Sequence, residues 1–183
     1  MATFAKIKMV SEDVTAYDVT GKYKANGAYA AVEDGALVVL GDLDASTVYT
    51  GNKDMNVFEI KAPTADTDKI AIVDIADVSK GDVRGEAWRV GIRTDGLVAE
   101  PGQPVRVRIP ATGKGIDRFW VSEDAFVSTP TVGEYAIATA NSTKYTPNAT
   151  DVSAQKFCVK IEMAKDFVLG QTVAGKMYYC RVL

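Results

Sequence analysis

The chain has 183 residues, of which 47% are hydrophobic and 25% charged. This is enough for one sizeable core or two small ones, without disulfides or a bound metal to stabilise them. Its formal net charge of −3 argues against a nucleic-acid partner, because such a partner is bound through a basic patch. No apolar run approaches the ~20 residues of a membrane span, and the N-terminus lacks the long apolar segment of a signal peptide, so we expect no membrane partner and synthesis in a cytoplasm.

Residues 1–26 predict an extended N-terminal arm. Apolar residues alternate with Lys6 and Lys8 in the opening run, and residues 11–26 are mostly polar. Such a segment buries little apolar surface by itself, so it becomes ordered only against its own domain or a partner. A first edge strand followed by a loop is the alternative.

Residues 27–183 predict a β-rich body, with a possible subdivision near residues 128–132. The continuous apolar run at residues 36–40 is typical of a strand buried on both faces, and it follows a Glu-Asp-Gly turn signal that ends at Gly35. Pro, Gly and polar clusters separate most of the further strand candidates, which are residues 29–32, 56–62, 69–75, 87–93, 134–139, 156–163 and 177–182.

Helical spacing is scarce in this body. Residues 164–169 are the best helix candidate, although they are few and are stopped by Gly170, and residues 74–83 suit a single turn. The sequence therefore predicts an all-β fold, an antiparallel β-sandwich or barrel with an extended N-terminal arm and little helix. We expect the core to include Leu37, Val39, Ile60, Ile72, Ile92, Val107, Phe119, Ile137, Val159 and Ile161.

The stretch at residues 105–127 predicts a β-hairpin with a long loop. In its first run apolar residues alternate with Arg106 and Arg108, and in its second run they alternate with Arg118 and Trp120. This period of two places the apolar residues on a face that packs in the core and the other residues on a solvent-exposed face. Because aromatic and arginine side chains often anchor interfaces, we assign self-association to Arg106, Arg108 and Trp120. A solvated face with one covering aromatic is the alternative.

The sequence offers no recognisable catalytic arrangement. It contains no histidine, which excludes the triads that use imidazole as a general base. Cys158 and Cys180 alone leave a tetrahedral zinc site two ligands short, and we expect both thiols to be reduced. We therefore predict no enzymatic activity, no metal and no cofactor. Three carboxylate pairs fall at predicted strand ends or turns, where Asp commonly bonds the backbone: Asp42 and Asp44, Asp66 and Asp68, and Glu123 and Asp124.

Four stretches carry a family likeness: Gly35–Leu43, Gly96–Val107, Asp117–Val121 and Gly175–Leu183. They look like small virion proteins of tailed bacteriophages, and the closest group is the head decoration, or cement, proteins. The likeness is one of overall style over most of the chain. It implies a non-enzymatic protein, made in the host cytoplasm, that binds and stabilises the outer surface of the capsid lattice, often as an oligomer at a symmetry axis.

On this hypothesis the partner is the major capsid protein lattice, and the chain forms a homo-oligomer, a trimer or a dimer. The arm is the expected capsid contact, and its lysines would meet acidic capsid surface. The contact residues are Phe4, Lys6, Ile7, Lys8 and Met9. The alternatives are a head-fibre or tail component of the same virion, and a carbohydrate-binding β-sandwich that uses Trp88 or Trp120 as a stacking platform.

Overall fold

A computed structural model of the protein describes residues 7–11, 17–44, 57–65, 69–75, 98–113, 115, 117–152, 157–169 and 172–183. Within these ranges the fold is all-β, as predicted, with a single 3-10 turn at Glu123–Ala125. The strands in chain order are β1 (Ile7–Ser11), β2 (Tyr17–Ala25), β3 (Ala28–Tyr29), β4 (Val32–Glu33), β5 (Leu37–Leu43), β6 (Val57–Lys61), β7 (Ile70–Asp74), β8 (Val98–Ala99), β9 (Val105–Ile109), β10 (Arg118–Ser122), β11 (Tyr135–Ala138), β12 (Tyr145–Asn148), β13 (Cys158–Leu169) and β14 (Thr172–Val182). Among the described residues no helix has the length and apolar character needed to cross a membrane.

Six strands form an antiparallel sheet in the order β1-β10-β14-β13-β11-β12. Strand alternation divides its side chains between two faces. In β10, for example, Phe119 and Val121 are fully buried, whereas Arg118 and Trp120 are half-buried. The sheet therefore has an inner face, which belongs to a core, and an outer face.

Five other strands close into a barrel in the order β2-β6-β5-β7-β9, because β9 pairs with β2 as well as with β7. The β2–β6 pair is parallel and the other four pairs are antiparallel. Two short pairs accompany the barrel, β3 beside β2 and β4 beside β8. The buried residues of the barrel core are Val32, Ala36, Val38, Ile60, Ala71, Val73, Ala99, Val105 and Val107.

The barrel strands β5 and β7 contribute side chains to two hydrophobic cores. Along β5, Val38 joins the barrel core, while Leu37 and Val39 join the larger core beneath the six-stranded sheet. The same alternation divides Ile70–Val73 of β7 between the two cores. Both faces of these strands are therefore buried, which confirms the prediction made from the continuous apolar run.

The larger core lies between this wall of the barrel and the inner face of the sheet. Its buried residues are Leu37, Val39, Ile70, Ile72, Phe119, Val121, Ala125, Phe126, Ala136, Ala138, Tyr145, Phe157, Val159, Ile161, Tyr178, Cys180 and Val182. Eight of the ten predicted core residues are buried, and Ile92 lies outside the described residues. The prediction that Ile137 is buried was wrong. Its neighbours Ala136 and Ala138 point inward instead, opposite the larger Val159 and Tyr145.

Two stretches within the predicted arm, residues 1–26, form strands that pair with the rest of the chain. Strand β1 pairs with β10 as an edge strand of the six-stranded sheet, and Ile7 packs against the larger core. Strand β2 pairs with β6 on one side and β9 on the other, so it closes the barrel. Residues 1–6 and 12–16 lie outside the described residues.

The prediction of a hairpin over residues 105–127 is wrong, although both of its predicted strands form. Strand β9 lies in the barrel between β7 and β2, whereas β10 lies in the six-stranded sheet between β1 and β14. Alternation specified which side chains of each strand face the core, but it did not specify the neighbouring strand. The connection between the two runs passes from one layer to the other.

Residues 164–169 are extended rather than helical. They continue β13 and pair with β14 as far as Leu169 opposite Thr172, past β-bulges between Ile161 and Met163 and again after Phe167. Cross-strand hydrogen bonds to β14 outweigh the weak helical preference of so short a segment.

A glycine allows the barrel to close where β2 is paired on both sides. Gly21 lies opposite Phe58 of β6 and Val105 of β9. A Cβ atom at this position would lie 2.7 Å from Cγ2 of Ile60 and 3.1 Å from Cγ2 of Val107. The barrel interior therefore has no room for a methyl group here.

We predict that Gly21→Ala lowers the free energy of unfolding by roughly 1–3 kcal/mol through overpacking. Urea denaturation followed by tryptophan fluorescence measures this change. Because the crowding is against Ile60, the double variant Gly21→Ala/Ile60→Ala should lose less stability than the sum of the two single variants. Additive losses would contradict the steric explanation.

Candidate functional site

The outer face of the six-stranded sheet combines aromatic and charged side chains from four neighbouring strands. Strand alternation places them there, because the intervening residues point into the larger core. We define the outer face by Arg118 and Trp120 of β10, Tyr179 and Arg181 of β14, Lys160, Glu162 and Lys165 of β13, and Tyr135 of β11.

Trp120 is the centre of the aromatic part of this face. Its ring centroid lies 5.1 Å from that of Tyr179, the residue opposite it on β14. The ammonium nitrogen of Lys165 lies 4.2 Å from the centroid of the Trp120 ring, which is cation–π geometry. A second such pair joins Lys160 to Tyr135, with 5.5 Å between ammonium and ring centroid.

A carboxylate links the two arginines of the face. Arg181 donates from Nε to Oε1 of Glu162 at 2.6 Å, and Nε of Arg118 lies 4.0 Å from Oε2 of the same carboxylate. The three side chains are 28–36% exposed, so the ion pairs remain partly hydrated. They position the arginines and contribute little to stability.

The barrel arginines lie in a different sheet from Trp120. Arg106 and Arg108 of β9 both bind Oδ2 of Asp74 on β7, and the Arg106 contact is 2.7 Å long. Arg108 also lies 3.7 Å from Asp18 of β2, so the group links three neighbouring barrel strands. The prediction that these arginines share one hairpin face with Trp120 is therefore wrong. Their assignment to self-association stays a prediction.

The predicted capsid-binding residues are only partly described. Ile7 is half-buried and packs against the larger core, and its assignment to capsid binding stays a prediction. Lys8 and Met9 pair through their backbones with Trp120 and Phe119 of β10. Phe4 and Lys6 lie outside the described residues, as does Trp88.

Two carboxylates of the three pairs, Asp44 and Glu123, form hydrogen bonds within the fold. Asp44 is buried and accepts hydrogen bonds from the Tyr29 hydroxyl at 2.9 Å to each carboxylate oxygen. Glu123 accepts one from the Thr129 hydroxyl at 2.6 Å. Asp66 and Asp68 lie outside the described residues.

Both cysteines are free and buried, as predicted. Burial raises the pKa of the Cys158 thiol to about 11, and it raises that of Cys180 further, so both thiols are protonated at neutral pH. Within the described ranges, no three Asp, Glu or Cys side chains are grouped so that they could hold a metal ion.

Asp34 connects the two layers of the molecule. It is buried, and its carboxylate accepts the backbone N–H of Ile7 at 2.9 Å and that of Ile75 at 2.8 Å. These bonds join β1 of the six-stranded sheet to the end of β7 in the barrel. Burial raises the pKa of Asp34 to about 7, aided by the charge of Asp74 and opposed by the N–H donors.

Comparisons with known proteins give no relative from which a role could be transferred. The chain matches no protein-family model, no curated protein sequence and no solved structure. The site is therefore interpreted from the contacts of its own residues. Sequence patterns found Arg118 and Trp120 among the residues of the outer face, whereas the others join them through strand register.

The barrel ion pairs lead to a prediction about stability. We predict that Asp74→Ala lowers the free energy of unfolding by roughly 1–3 kcal/mol, because it leaves the partly buried Arg108 without its main acceptor. Asp18→Ala is the matched control, since Asp18 is 45% exposed and lies farther from Arg108. Its loss should stay below about 1 kcal/mol. Urea denaturation of both variants tests this, and equal losses would contradict it.

Asp34 leads to a prediction about pH. Its folded carboxyl holds a proton more tightly than the unfolded carboxyl, whose pKa is about 4. The stability it contributes is therefore complete below about pH 4 and is lost as the pH rises to about 7. We predict that the free energy of unfolding falls by on the order of a few kcal/mol over this interval, in which no histidine titrates.

The variants Asp34→Asn and Asp42→Asn test this assignment. Urea denaturation across the pH series should show that Asp34→Asn removes the fall, whereas the exposed control Asp42→Asn keeps it. A fall that persists unchanged in Asp34→Asn would show that another group is responsible.

Proposed function

We propose that the chain is a non-enzymatic structural protein of a tailed-phage virion that binds the outer surface of the capsid lattice and stabilises it. Two lines of support carry this proposal. The sequence resembles head decoration proteins in style over most of its length, and the all-β body presents the outer face, whose residues have the composition of a protein-binding surface.

The composition of the outer face is the observation that carries most weight. Trp, Tyr and Arg are the residues that most often anchor protein interfaces, and here Trp120, Tyr179 and Arg181 lie on neighbouring strands. They project from one face of a sheet rather than converging in a cleft. A sheet face suits contact with another protein surface better than enclosure of a small ligand.

The position of Lys165 favours a protein partner over a carbohydrate. A sugar would stack on the face of the Trp120 ring, but the ammonium group of Lys165 already lies 4.2 Å from its centroid. Stacking a sugar there would displace a cation–π contact and leave the ammonium group without it. A protein partner can bind at the edges of the cluster and retain that contact.

Decoration does not require tight binding by each copy. A lattice offers many identical sites, and an oligomer that engages several of them gains avidity without any additional kind of contact. We propose a homo-oligomer, a trimer or a dimer, that is made in the host cytoplasm and is located on the capsid surface. In this role the outer face makes contacts across capsomer boundaries.

The test is cosedimentation of the purified protein with emptied heads of the phage whose genome encodes it. We predict that the intact protein sediments with the heads, and that Trp120→Ala/Tyr179→Ala reduces its affinity by about tenfold or more, as expected for interface anchors. Leu43→Ala is the control, because Leu43 is 56% exposed on barrel strand β5.

Two results would contradict the proposal. One is failure of the intact protein to bind heads at any accessible concentration. The other is head binding that Trp120→Ala/Tyr179→Ala and Leu43→Ala leave equally intact, which would place the attachment outside the outer face. Circular dichroism of each variant shows whether it remains folded.

A further inference from the structure

Strand register aligns three cations on the outer face. Arg118 of β10 lies directly opposite Arg181 of β14, and Arg181 lies directly opposite Lys160 of β13. We call these three residues the cation row. Lys160 in turn lies opposite Tyr135 of β11. At this end of the row the Lys160 ammonium group lies over the Tyr135 ring.

The cation row is unfavourable for the isolated protein. Like charges directly opposite one another on neighbouring strands destabilise a sheet. Glu162 offsets part of the repulsion at the two arginines, but the defined outer face still holds four cations and one carboxylate. The residues that define the outer face are therefore basic, on a chain whose net charge is −3. Local arrangements that oppose stability in this way are expected at functional sites.

We propose that the cation row is a docking site for the carboxylates of an acidic protein surface. This inference rests on the proposed function and deepens it, because it states the chemistry of the capsid surface that the outer face would meet. Arginine fits carboxylates through its planar set of donors, and Arg181 already holds one in this way, that of Glu162. Incoming carboxylates would neutralise the repulsion, so binding would relieve an unfavourable arrangement of the unbound protein.

The surroundings of the row favour an acidic protein over a nucleic acid. Three strands place the row across only about 10 Å, room for few phosphate contacts. The carboxylate of Glu162 lies between its arginines and would repel phosphates. Beside the row, Trp120, Tyr179 and Met163 lie opposite one another, and Met163 is 49% exposed. Apolar and aromatic groups next to arginines are characteristic of protein interfaces.

The experiment uses the full chain and a matched pair of double variants. Arg118→Gln/Lys160→Gln neutralises two positions of the cation row and retains the Arg181–Glu162 pair. Lys61→Gln/Lys69→Gln removes the same charge at two exposed lysines of the barrel side. Binding of each protein to immobilised poly-L-glutamate, to single-stranded oligo-dT and to emptied phage heads is measured at low and raised salt.

We expect the intact chain and the barrel control to bind poly-L-glutamate, and Arg118→Gln/Lys160→Gln to bind it at least about tenfold more weakly, corresponding to about 1.4 kcal/mol. The row variant should also melt at the same or a higher temperature than the intact chain, because repulsion has been removed. That result separates loss of binding from loss of folding.

Equal binding of poly-L-glutamate by all three proteins would overturn the inference, as would tighter, row-dependent binding of oligo-dT. If heads bind the intact chain and the row variant equally, the inference fails while the proposed function stands. If poly-L-glutamate binding depends on the row but no protein binds heads, the carboxylate site stands and the proposed function fails.

Discussion

The structure depends on burying both faces of strands β5 and β7. Alternate side chains of these strands fill the barrel core and the larger core, so the two layers share a wall and neither can be separated without exposing it. Asp34 adds a polar connection between the layers through the backbone N–H groups of Ile7 and Ile75. Its buried carboxyl makes that connection sensitive to pH, whereas the apolar wall is not.

Local patterns predicted the strands of this fold well and their partners poorly. The alternation at Val105–Ile109 and the continuous run at residues 36–40 both identify strands, because the burial of each face follows directly from residue type. The neighbour of each strand depends on contacts remote in sequence, which local periodicity does not contain. The runs on either side of residues 110–117 therefore resemble a hairpin in sequence, although they belong to different sheets.

The candidate site was predictable only in part for the same reason. Trp120 could be predicted as a candidate because it is an aromatic residue at a solvent-facing position of a strand, and it lies at the centre of an aromatic cluster. Alternation also places Arg118 on the same face, but Lys160 and Arg181 could not be grouped with it from the sequence, because they become its neighbours only through the registers of β10, β13 and β14. Two other arginines that the sequence grouped with Trp120, Arg106 and Arg108, bind Asp74 in the barrel instead.

The two sets of arginines differ in the charged groups that lie next to them. Arg108 is 12% exposed and contacts carboxylates on both neighbouring strands, so its charge mainly serves barrel closure. Arg118 and Arg181 both contact the carboxylate of Glu162, and Arg181 lies opposite a third cation, Lys160, so like charges lie side by side on the outer face. An interaction with these cations acts on partly exposed groups and is therefore weak for each copy. Such a contact suits a repetitive surface, where many copies bind together and their small contributions add.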